Sequence, residues 1–325
     1  MAKKAYLGVD STARKVKKGY LGVGNAARKV KKAYIGIGGV ARPCWSGGEL
    51  AYYGTTTALS AARRYLAVTT VGDYALFGGG FDNSYLTTVD AYNTTLMRST
   101  PTALSVARGY LAATTVGEYA LFGGGINGSS YYSTVDAYNT ALTRSTATAL
   151  STKRGILAAA TIGEYALFAG GTGGSSSWYS TVDVYNAALV KSNPTSLSVG
   201  RQSLAATTIG EYALFGGGFS GSVRYATVDA YNTSLTCSTP TALSAARGNL
   251  AATTVGNYAL FGGGYSSSAY YTTVDAYNTS LTRSTPAELS VARGDMAATT
   301  VGDYALFGGG FDGSYRLAVD VYTAA

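Results

Sequence analysis

Hydrophobic and polar positions along the chain fall into one pattern that is written six times. In the second copy, "YLAATTV" (residues 110–116) mixes small apolar and hydroxyl side chains, Gly117 and Glu118 interrupt it, and "YALFGGG" (119–125) follows as an apolar run closed by glycines. The first stretch predicts a strand of small residues and the second a strand buried on both faces. The two-residue link between them predicts a tight hairpin, because Gly supplies the positive φ such a turn needs. A changing Gly/Ser/aromatic stretch comes next, then "STVDAYN" (133–139) and "ALTRSTATAL" (141–150), which predict a third and a fourth strand. Ala and Thr suit a place where several sheets crowd around an axis, so the first strand is expected innermost and the fourth outermost.

The glycine triplets begin at residues 78, 123, 169 (as Ala-Gly-Gly), 216, 262 and 308. So long and regular a period means stacked supersecondary units. Six four-stranded sheets around a channel form an all-β propeller, predicted here over residues 46–325. The last copy stops after its third strand, while "ELAYYGTT" (49–56) precedes the first copy as a strand without a blade of its own. This N-terminal strand is therefore expected to close the last blade and hide two edges.

Strand, glycine pair, variable loop and Val-acid-x-Tyr strand together resemble the kelch repeat, and "GGFDGSY" (309–315) is a near match. The resemblance spans residues 50–325 and implies a six-bladed kelch-like β-propeller. The tryptophan that kelch repeats carry in the outer strand is missing from every copy, where Leu-x-Arg stands instead, so the outer packing is expected to differ.

Charge divides the chain. The net charge is +8, but residues 1–44 hold 11 Lys/Arg against Asp10 alone, and the remainder holds 14 basic and 16 acidic residues. The basic character thus belongs to an N-terminal arm, residues 1–45, and nucleic acid is not the expected partner of the body. The arm repeats every 14 residues, aligning Tyr6, Tyr20 and Tyr34 and also Arg14, Arg28 and Arg42. Each unit reads as a hairpin too small to stand alone in water. A solvated basic linker, an electrostatic anchor on an anionic polymer, and an assembly arm are all compatible with it. The lysine-rich repeat running into "GGVARPCW" (38–45) resembles the start of phage and prophage structural proteins of Gram-positive gut bacteria. That resemblance implies docking to other virion or tail proteins, an oligomeric assembly and a virion location. No apolar run reaches membrane-spanning length, and membrane insertion is not expected.

The expected binding surface is the loops between second and third strands: Tyr85, Tyr131 and Tyr132, Trp178 and Tyr179, Arg224 and Tyr225, Tyr270 and Tyr271, Tyr315 and Arg316. Aromatic residues set among Gly and Ser are the composition of adaptable recognition loops, which suits a host surface glycan or protein as ligand. A second expected feature is a ring of arginines at the channel mouth, Arg63, Arg108, Arg154, Arg201, Arg247 and Arg293. They either hold acidic ligand groups, as in eukaryotic kelch adaptors that the ring resembles, or pair with the box aspartates Asp90, Asp136, Asp183, Asp229, Asp275 and Asp320.

Histidine is absent, which removes the commonest metal ligand and the usual general base. No cofactor or metal is expected, and Cys44 and Cys237 read as incidental thiols. A kelch-type copper oxidase would need His, and a sialidase would need Asp-box turns that do not occur. A mutarotase-like enzyme would need acids that break the symmetry; Asp82, Asp295 and Glu288 do so without a convergent constellation. The expected function is a non-enzymatic phage decoration or structural protein, with a cytoplasmic interaction scaffold and a carbohydrate-acting enzyme as alternatives.

Overall fold

The structure is a computed structural model that describes residues 55–324 and, before them, the backbone of six strands between residues 6 and 45. The chain separates into two compact units, residues 1–56 and 57–325. In the first, three antiparallel hairpins pair Tyr6–Val9 with Thr12–Lys15, Gly19–Val23 with Ala26–Val30, and Ala33–Ile37 with Val40–Trp45. The side chains proposed for assembly, Tyr6, Arg14, Tyr20, Arg28, Tyr34 and Arg42, lie outside the described residues.

The second unit is a six-bladed β-propeller with no helix among the described residues. Blade two shows the plan: an inner strand Ala112–Val116, a second strand Tyr119–Gly123, a box strand Val135–Asn139 and an outer strand Arg144–Ala147 pair antiparallel in that order. The register sets Ala112 opposite Gly123 and Gly123 opposite Val135, and blades three to five repeat it. Outer strands are mostly two residues long, as in Arg98–Ser99 and Lys191–Ser192. Among the described residues blade six has three strands, Ala297–Val301, Tyr304–Gly308 and Val319–Thr323. The segment expected to close it, residues 49–56, falls outside the described residues from 49 to 54.

One buried ion pair recurs inside each blade and decides its internal arrangement. In blade two Arg108 Nη2 donates to Asp136 Oδ2 at 2.8 Å and to the Phe122 carbonyl at 3.1 Å, while Nη1 donates to the Val106 carbonyl at 3.2 Å. The backbone amide of Ser105 donates to the same carboxylate, and Arg144 of the outer strand reaches its other oxygen at 2.9 Å. Both central side chains are fully buried, whereas Arg144 keeps 24% of its side chain exposed. The box tyrosine completes the frame: Tyr138 is buried, meets Phe122 edge to face at 5.8 Å and donates its hydroxyl to the Thr102 carbonyl at 2.7 Å.

Between blades the contacts are equally repetitive. The second-strand phenylalanine of each later blade lies where a Cβ on the preceding blade's first triplet glycine would sit, Phe122 on Gly78 and Phe168 on Gly123. Blade three has Ala169 at that position, still inside the same apolar cluster as Phe215. Inner-strand threonines lace neighbours together, Thr161 Oγ1 donating to the Thr115 carbonyl at 2.5 Å and Thr208 Oγ1 to the Thr161 carbonyl at 2.7 Å. The seam between blades six and one departs from this pattern. Val301 is 49% exposed where its counterpart Val255 is 3% exposed, and among the described residues no aromatic ring from another blade lies within 4 Å of where a Cβ on Gly308 would sit.

Removing one partner of a buried pair leaves an uncompensated charge, at a cost of about 3 to 5 kcal/mol. Asp136→Ala is therefore expected to lower the unfolding free energy by about that amount in denaturant titration. The double variant Arg108→Met/Asp136→Leu should be more stable than Asp136→Ala alone. A double variant no better than the single would show that the pair's charge is not what fixes the blade.

Candidate functional site

The variable stretches fold as miniature hairpins that stand between second and box strands. Phe81–Asp82 pairs with Ser84–Tyr85, Ile126–Asn127 with Ser130–Tyr131, Thr172–Gly174 with Ser177–Trp178, and Phe219–Ser220 with Val223–Arg224. Single bridges, Tyr265 to Tyr270 and Phe311 to Tyr315, replace them in blades five and six. Each hairpin is clipped to the segment that enters its own blade's inner strand, through bridges such as Gly109 to Ile126 and Gly155 to Thr172. All six hairpins thus share one face with the entrances to the inner strands.

The paired loop residues divide into two roles. Tyr132, Tyr179, Tyr225 and Tyr271 belong to the frame by their backbones: the Tyr132 amide donates to Gly125 and its carbonyl accepts from the Arg154 amide of the next blade. Tyr271 also packs against a buried cation, with the Arg247 guanidinium 5.9 Å from its ring centre. The preceding residues, Tyr85, Tyr131, Trp178, Arg224, Tyr270 and Tyr315, lie on the hairpins and are half-buried or exposed. Their neighbours are hairpin partners and the next blade: Tyr85 lies edge-on to Phe81 at 5.0 Å and beside Gly109, Trp178 lies beside Gly221, Arg224 covers Phe219 at 4.2 Å, and Tyr270 lies 4.7 Å from Tyr265 and 6.4 Å from Phe311. Tyr315 is 85% exposed. Arg316, also exposed, is held by Asp312 at 2.6 Å.

Of the two roles expected for the arginine ring, the geometry shows the pairing with the box aspartates. Arg63, Arg108, Arg154, Arg201, Arg247 and Arg293 start near the channel mouth, but their side chains are fully buried, turned into the blade and closed on Asp90, Asp136, Asp183, Asp229, Asp275 and Asp320. They offer nothing to a ligand at the mouth. The outer cation is replaceable: Lys191 stands in blade three, and in blade four Cys237 takes the place with Sγ 3.9 Å from Asp229 Oδ1. Burial pushes the Cys237 thiol up. Among the described residues no three His, Cys, Asp or Glu gather as a metal site would.

A second set of residues on this face was read in the sequence only at Asp295. Two positions after each buried arginine, in an otherwise near-constant run, stand Tyr65, Tyr110, Ile156, Ser203, Asn249 and Asp295. All six have positive φ, between 53° and 59°. The signal was available: here the six copies disagree more completely than anywhere in the strands. Of the three acids weighed for catalysis, Asp295 accepts from Asn249 Nδ2 at 2.8 Å and Glu288 from Thr272 Oγ1 at 2.8 Å.

No family model matches the chain, and no curated protein matches it in sequence. Its fold is similar to a solved structure titled "Structure of YjhT", with a TM-score of 0.67 and 12% identity over 83% of this chain and 97% of that one. At that identity the likeness is one of fold.

Burial alone would raise the Asp90, Asp183 and Asp320 carboxyls, but hydrogen bonds from Arg63, Ser151 and Arg293 respectively lead a set of contacts that holds them below the usual carboxylate range. A depressed folded-state pKa contributes stability that is present above the unfolded value, about 3.9, and lost as pH falls through the folded one. The unfolding midpoint should therefore be flat from about pH 8 to 5 and drop below about pH 4. A midpoint that falls already near pH 6 would contradict this assignment.

Proposed function

We propose that the chain is a non-enzymatic binding protein, a diverged kelch-type propeller that presents its hairpin face to a surface glycan or protein while the basic repeats of residues 1–45 dock it on a phage particle or tail. The observation that carries the reading is where the copies differ. Arg, Asp, Gly and Tyr positions of the frame are the same six times over, while the hairpins carry Tyr85, Tyr131, Trp178, Arg224, Tyr270 and Tyr315 at one equivalent place. Aromatic and Arg side chains at rigidly clipped hairpin positions supply contact area at low entropic cost, and such residues dominate binding hot spots. The docking role of the arm is supported by its separation from the propeller in charge, period and fold, and by hairpins that would be marginal as free elements.

Two experiments test the two halves. In lysates of producing cells the full chain should sediment with particles and a chain lacking residues 1–45 should stay in the supernatant. Equal incorporation of both would remove the docking role of the arm, and a full chain that stays in the supernatant would favour a free cytoplasmic scaffold. On an array of surface glycans and proteins, Trp178→Ala/Tyr131→Ala should weaken the strongest response by about tenfold or more. An unchanged response would take the hairpins out of the binding surface.

A further inference from the structure

The residues two places after the buried arginines form a continuous structure. The amide of Tyr110 donates to the carbonyl of Tyr65 at 2.9 Å, and the same bond repeats from Ile156 to Tyr110, Ser203 to Ile156, Asn249 to Ser203 and Asp295 to Asn249, at 2.9 to 3.2 Å. Each residue leads into an inner strand, so the five bonds draw an arc around the channel entrance, one residue per blade.

Left-handed backbone favours Gly, tolerates Asn and Asp, and is costly for bulky or β-branched side chains. Yet no copy has Gly in the arc, and Tyr65, Tyr110 and Ile156 are all poorly suited to it. The residue just before is Gly in four copies, at a φ that does not require it. Side chains are thus kept in the arc where a glycine would be easier to hold. Leu96, Leu142, Leu189, Leu235 and Leu281 hold the same backbone in the outer turns with the residue type unchanged, so what sets the arc apart is that its side chains change from blade to blade.

The arc is also divided. One half is apolar, with the Tyr65 and Tyr110 rings stacked at 3.9 Å beside Ile156. The other is polar, with Ser203, Asn249 and an exposed Asp295 that accepts from the Asn249 amide. An aromatic surface on one side with hydroxyl, amide and carboxylate on the other matches a sugar ring, which has an apolar C–H face and hydroxyl edges that donate to a carboxylate. Arg64, whose guanidinium lies 4.8 Å from the centre of the Tyr65 ring, already supplies the cation there, which argues against a cationic ligand. Asp295 argues against an anionic one. We infer that the arc is the floor of a binding site for a neutral saccharide. This rests on the reading of the hairpin face as the binding surface.

The test uses the full chain and titrates it with neutral hexose oligosaccharides, uronic-acid oligosaccharides and amino-sugar oligosaccharides. At least one neutral probe should bind, and Asp295→Gly and Tyr65→Gly should each weaken it about tenfold or more. Because Gly suits the backbone there, Asp295→Gly should unfold no more easily than the parent. Unchanged affinity in both variants, with loss in Trp178→Ala/Tyr131→Ala, would overturn the arc and leave the hairpin face standing. Binding confined to the charged sugars, or to no sugar at all by folded protein, would overturn the ligand class, while particle docking by the arm would be untouched. Affinity that falls only in step with the unfolding midpoint would make the arc structural and overturn the proposal.

Discussion

The buried arginine–aspartate pair is the interaction on which each blade depends. It ties four pieces of chain to one point: the link into the inner strand through the arginine, the second strand through the phenylalanine carbonyl, the box strand through the aspartate, and the outer strand through a second cation. Taking two charges out of water is expensive, and apolar residues of equal volume would often be as stable. What the pair adds is uniqueness. A slip of the box strand by one residue would turn its aspartate to the opposite face and strand both charges, so the pair selects one register from the several that Ala- and Thr-rich strands would otherwise accept.

Stacking of blades follows from the same register. Once the second strand is placed, its phenylalanine points at the triplet glycine of the blade before it and its backbone glycines pass beside the arginine of the blade after it, as the Gly125 amide does in donating to the Arg154 carbonyl at 2.9 Å. Every blade therefore presents one face shaped for its predecessor and another for its successor. This makes the array a nearest-neighbour system, in which each interface is a copy of the last. The seam between blades six and one is where the copying stops, and the exposed Val301 and Val68 lie on it.

Much of this was legible in the sequence. The period, the hairpin at Gly117-Glu118, the order of strands and the number of blades all follow from pattern, because repeated glycines and apolar runs carry strong local information. The direction of the arginines was harder. Their place at the start of the inner strand puts the backbone near the channel mouth, which left two directions open, toward a ligand or onto the box aspartates, with the strict sixfold repetition of both residues favouring the pair. The left-handed turn two residues later could not be read from residues that favour other conformations, Tyr65 and Ile156 above all. The arc was legible only at Asp295, as an acid that breaks the symmetry, because two varying positions between Arg and Leu or Met are quieter than a loop full of tyrosines.

The proposed function divides the labour, with symmetric positions holding the fold and asymmetric ones on the hairpin face meeting a ligand. A saturation scan of residues 57–324, scored in parallel for unfolding and for ligand binding, measures that division directly. The account predicts that substitutions at the repeated Arg, Asp, Gly and Tyr positions lose stability first, and that substitutions at Tyr65, Asp295, Trp178 and Tyr131 lose binding with stability intact. Binding losses that track stability everywhere, or that cluster on the opposite face around the Gly117-Glu118 type of hairpin, would contradict it.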